Sequence, residues 1–81
     1  CAVEAAANML MMTTAIVEAE QDFDYAGMHW EQLEVWADYL QQKMKKETYP
    51  IIGLLDENDE RVKCVLGLAA YYKLIQLKGN L

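Results

Sequence analysis

Glu31, Glu34 and Asp38 stand at intervals of three and four, so on a helix their carboxylates form one stripe. Such a stripe can hold a divalent cation if a second acidic helix faces it, or present negative charge to a basic partner. Other residue types that carry chemistry are sparse. His29 is the single histidine, and Cys1 and Cys64 are the two cysteines. One histidine without a C-x-x-C spacing argues against zinc. A Cys–His pair needs both side chains within hydrogen-bond reach, but Cys64 belongs near the start of the last helix, toward the opposite end from His29. His29, flanked by apolar and aromatic residues, therefore reads as a packed side chain. No Gly-rich phosphate loop or G-x-S-x-G turn is present. The expectation is a protein with no catalytic residues, no metal site and no cofactor.

The acidic stripe is similar in one respect to the all-α nucleoside triphosphate pyrophosphohydrolases. There an E-x-x-E helix facing a second acidic helix holds magnesium. Here Glu57 and Glu60, or Asp56 and Asp59, would supply the second half. In a hairpin joined at residues 47–57, Glu34 and Asp59 are separated by about twelve residues along the helices, or roughly 18 Å. Magnesium takes oxygens about 2.1 Å from one centre. One chain cannot close that distance, so this alternative requires a site assembled across an antiparallel dimer.

The elements that position these residues are helices. The segment 24–46, DYAGMHWEQLEVWADYLQQKMKK, places Ala26, Trp30, Leu33, Ala37, Leu40 and Met44 at alternating steps of four and three. These six fall within an arc of roughly 80°, the seam of a helix laid along another. Asp24 suits its N-cap, with Phe23 and Met28 spaced as a hydrophobic staple. Residues 2–20 form a first helix, driven by alanine. One of its lines is Ala2, Ala5, Met9, Met12, Ile16 and Ala19, and a second is Val3, Ala6, Leu10 and Val17. Glu4, Asn8, Thr14 and Glu18 remain for its wet side. Residues 58–78 form a third helix, capped by Asp56, Asn58 or Asp59 and ended by Gly79. Its apolar side is Val62, Val65, Leu66, Ala69, Tyr72 and Leu77, with Leu68, Tyr71 and Ile75 on another. Arg61, Lys63, Lys73, Gln76 and Lys78 are left for water. The connection 47–57 is too apolar for a solvated loop and reads as a lid on the core, with an exposed docking loop as the alternative.

Residues 1–81 thus form a single helical domain of all-α class, an antiparallel three-helix bundle. The first and third helices carry more apolar surface than two neighbours can cover, so dimerisation is expected to complete the fold, with Met9, Met12 and Ile16 at the interface. The first helix cannot span a membrane, because Glu4, Asn8, Glu18 and Glu20 leave too short an uncharged core. The cysteine count suits a reducing, cytoplasmic setting.

Net charge is −6 and unevenly spread. Residues 1–42 hold eight acids and no Lys or Arg, whereas residues 43–81 hold five acids and seven bases. Without a basic stripe to release counterions, direct nucleic-acid binding is disfavoured. The function expected is a non-enzymatic interaction module, an adaptor, regulator or inhibitor. It would dock a basic protein surface through Glu20, Asp22, Asp24, Glu31, Glu34 and Asp38, with Trp36 and Tyr39 as anchors. An inhibitor that imitates nucleic acid is the alternative, since unpaired carboxylates could occupy a basic groove.

Overall fold

The structure, a computed structural model, describes residues 2–46 and 60–81. Among these the chain is all-helical: α1 (Ala2–Glu20), α2 (Asp24–Met28), α3 (Trp30–Lys46) and α4 (Glu60–Asn80). The expected lid at 47–57 and the caps Asp56, Asn58 and Asp59 lie outside the described residues.

The direction of each helix follows from its contacts. Glu4 pairs with Lys63 and Glu18 with Lys73, and Thr14 bonds the backbone of Ala70. Both numbers rise together, so α1 and α4 run parallel. Gln41 of α3 meets Tyr72, and Trp30 meets Lys78. Near the other end of α3, Met44 shares a small cavity with Val3, Arg61 and Cys64. Rising numbers in α3 match falling ones in α1 and α4, so α3 runs back against both.

The most extensive contact is that of α1 with α4, and small residues make it possible. A β-carbon added at Gly67 would lie 2.9 Å from the Cα of Ala7 and 2.7 Å from the Cδ1 of Leu40. Hydrogen in place of a side chain lets three helices meet at that level. Val3, Ala6, Ala7, Leu10 and Val17 of α1 close on Cys64 and Leu74 of α4, and Leu33, Ala37 and Leu40 of α3 complete the core. Thr13 and Thr14 are buried with them. Each hydroxyl donates to the carbonyl four residues earlier, at 2.7 and 2.8 Å. Satisfied in this way, a hydroxyl can enter a core at small cost.

Several expectations need correction. On α1 the second line, with Val3, Ala6, Leu10 and Val17, is the buried one, joined by Ala7 and Thr14. Ala2, Ala5, Met12, Ile16 and Ala19 of the first line are exposed. The seam of α3 is as expected, but the helix is not continuous through 24–46. His29 leaves the helical region at φ −112° and ψ 20°. Its N–H reaches back only three residues, to Ala26 at 3.2 Å. The neighbouring Gly27 weakens the helix there, and Phe23 packs on Trp30 across the break, ring centroids 5.6 Å apart. Phe23 itself is the N-cap of α2, without a side-chain cap bond. It is Asp22 whose carboxylate accepts from the Asp24 N–H, at 2.8 Å. Met28 is 79% exposed, so no staple forms. Gln21 ends α1 in the left-handed region, at φ 54°.

On α4 the expected apolar side faces the wrong way. Val65, Leu66, Ala69 and Tyr72 are exposed, whereas Cys64, Gly67 and Leu74 are buried. Arg61, assigned to water, is only 8% exposed. Gly79 does not terminate the helix, which continues to Asn80. An arginine stem is apolar enough to pack along a core edge, and helix 60–80 carries apolar residues on every side. Its sequence alone therefore marks no inner face.

Candidate functional site

The described helices leave two edges open. On the first, α1 presents Ala2, Ala5 and Ala6 to a shallow groove of about 340 Å³, and α3 walls it with Gln32, Val35, Trp36 and Tyr39. Met9, Met12 and Ile16 continue the line of Ala5 along α1 at helical spacing, and Met12 and Ile16 are exposed. This edge holds the expected oligomer interface and both aromatic anchors.

The second edge lies between α3 and α4. Tyr72 is half exposed and accepts a hydrogen bond from the Gln41 amide at 2.8 Å, which places it on the α3 side of α4. Val65 stands two turns before it and Ile75 nearly one turn after, and both are exposed. Across from Tyr72 and Ile75 stands the acidic stripe of α3, whereas Val65, next to Cys64, lies level with Met44. Glu34 lies close enough to Tyr71 to raise its phenol pKa, after the larger effect of burial and ahead of the neighbouring Tyr72. Glu31 and Asp38 follow at i−3 and i+4 from Glu34, all three exposed.

The residues expected to form one docking face are therefore divided. Glu34 and Trp36 are two positions apart, which is roughly 160° around a helix, so the stripe and the aromatic anchors occupy opposite flanks of α3. Glu20, Asp22 and Asp24 sit exposed at the turn between α1 and α2, on neither edge. The signal was present in the sequence: residues two apart on a helix do not share a face. The α4 stripe of Val65, Tyr72 and Ile75 was missed as a surface because those residues read as core.

No group of three or more His, Cys, Asp or Glu among the described residues could hold a metal ion. Asp56, Glu57 and Asp59, needed for the pyrophosphohydrolase arrangement, lie outside those residues. His29 is exposed rather than packed, its ring 4.7 Å from that of Tyr25. Cys64 is buried at the other end, near Val3 and Met44. Phe23, Trp30 and Tyr71 form an aromatic stack with Lys78 over the Trp30 ring at 4.6 Å. These contacts clamp the end of α4 to the break before α3. Among the described residues, no helix is long and apolar enough to cross a membrane.

Two parallel helices in direct contact, with a third running back across both, define a segment of helical-hairpin architecture. The family model of the glutaminase A six helical-hairpin domain matches residues 1–81, and the chain belongs to that family. No curated protein and no solved structure matches it.

Proposed function

We propose that this chain is a docking and scaffold segment, not a catalytic centre. On this reading it is part of a glutaminase A-type helical-hairpin domain, and its two open edges receive neighbouring hairpins. Its three long helices form an up-down-up bundle that further helices complete. The observation that carries the reading is the pair of exposed apolar edges on either side of one closed core. Met12 is 57% exposed on one and Tyr72 51% on the other. Isolated exposed apolar residues are ordinary, but aligned rows at helical spacing mark surfaces that another element covers. Repeat architectures behave this way, because each unit buries its faces only against its neighbours. Glutaminase chemistry, where the family name applies, then belongs to the protein as a whole.

A closed homodimer is the second reading, favoured by the exposure of Met12 and Ile16 beside the Trp36 groove. The two readings differ in symmetry. Edge-to-edge stacking is heterologous, whereas a dimer through Met9, Met12 and Ile16 uses one edge twice. Light scattering after size exclusion, at two protein concentrations, tests them. The stacking reading expects association that grows with concentration. It further expects Met12→Lys and Val65→Lys each to stop growth, and a mixture of the two to form a heterodimer through the intact edges. A dimer that survives Val65→Lys and is lost in Met12→Lys would select the homodimer. A monomer at every concentration would end both.

A further inference from the structure

We propose that the α3–α4 edge receives an amphipathic helix of the adjoining hairpin, with its apolar face on Val65, Tyr72 and Ile75 and Lys or Arg on the flank toward α3. The proposal rests on the hairpin reading above and adds the chemistry of the neighbour. Its ground is the difference in charge between the two open edges. The groove edge is lined by alanines, Gln32, Val35, Trp36 and Tyr39, none of them charged. The α3–α4 edge sets Tyr72 and Ile75 at the level of Glu31, Glu34 and Asp38, and Val65 extends the apolar row toward the Lys45 end.

Those carboxylates make no ion pair among the described residues, because the basic side chains of α4 are engaged elsewhere. Lys63 and Lys73 face Glu4 and Glu18 on the α1 side, at 4.0 and 3.6 Å. Lys78 sits over Trp30, and Arg61 is buried. On α3 itself, Lys45 lies two turns beyond Asp38 and closes the acidic row at its end. A helix laid in the groove between α3 and α4 would bury its apolar face on α4 and bring its α3-facing flank against the three carboxylates. A neutral flank would leave them partly desolvated without partners, and an acidic one would add repulsion. A cationic flank satisfies both.

The test uses the 81-residue chain and two labelled helical peptides of identical apolar pattern, one built of Leu and Lys, the other of Leu and Glu. Fluorescence anisotropy reads binding at protein concentrations below self-association. The Leu/Lys peptide is expected to bind at least about tenfold more tightly than the Leu/Glu peptide, and to weaken as salt rises. Glu34→Gln combined with Asp38→Asn should erase most of that preference. Val65→Lys should abolish binding and Met12→Lys should leave it unchanged. All four substitutions are at exposed positions, and circular dichroism verifies that each variant is folded. Equal affinity for the two peptides, or binding lost in Met12→Lys but kept in Val65→Lys, overturns the proposal. If the peptides fail while edge-to-edge association persists, the charge assignment falls and the hairpin reading stands. If association fails too, both fall.

Discussion

Helices α1 and α4 each have an inner side, where they meet, and an outer side that is largely exposed. Both sides are apolar. Inside lie Ala7, Leu10, Gly67 and Leu74, and outside lie Met12, Ile16, Val65 and Tyr72. Hydrophobicity does not separate the two sets, and neither does size, since alanines stand on both sides. What marks the inside is close approach: small residues at Ala7 and Gly67 let the backbones meet, and leucines fill the space above and below. A close-packed seam inside and exposed apolar rows outside is the pattern of an element with neighbours on more than one side.

The inner and outer sides differ most at the leucines. Leu10→Ala removes a fully buried side chain from the centre of the core and should cost about 2–5 kcal/mol. Met12→Ala, two residues away on the outer row, should stay within about 0.5 kcal/mol in the isolated chain. Urea denaturation of both variants measures the contrast. If the two cost the same, the assignment of inner and outer sides is wrong.

Gly67 sharpens it next. An added methyl there meets the backbone of Ala7, which cannot yield as a flexible side chain would. Gly67→Ala should destabilise by about 1–3 kcal/mol through overpacking, after which the better helix propensity of alanine returns up to about 1 kcal/mol. At Gly79 nothing lies within 4 Å of the added methyl, so Gly79→Ala should be neutral or slightly stabilising. Thermal melts of the two variants should therefore move in opposite directions or by clearly different amounts. A stabilised Gly67→Ala would mean that the seam is looser than the structure has it.

The smallest expected effect is at Thr14, whose hydroxyl lies 2.8 Å from both the Leu10 and Ala70 carbonyls. Thr14→Val keeps the shape and removes the polar link between α1 and α4. A loss of about 1 kcal/mol is expected. No change in the denaturation midpoint would assign the seam to packing alone.

Much of the fold was legible in the residues. The 3–4 spacing of Leu33, Ala37 and Leu40 identified the buried line of α3, because Glu31, Glu34, Asp38 and Gln42 hold the opposite side. The break at His29 was harder to see, since Trp30 and Ala26 still follow helical spacing across it. The acidic stripe was legible as a stripe, but its flank was not, since a helix placed alone has no left or right neighbour.

Composition and spacing by themselves determined an all-helical chain, the ends of its helices to within a few residues apart from the break at His29, and the inner line of α3. These depend on local propensity and period, which a single strand of residues carries. The tertiary structure decided which side of α1 and α4 is inside. It also buried Arg61 and Thr14, and set Trp36 and Glu34 on opposite edges. Both helices carry apolar residues on every side, and their inner faces are chosen by which backbones can approach, a property of pairs of helices that neither sequence segment holds alone.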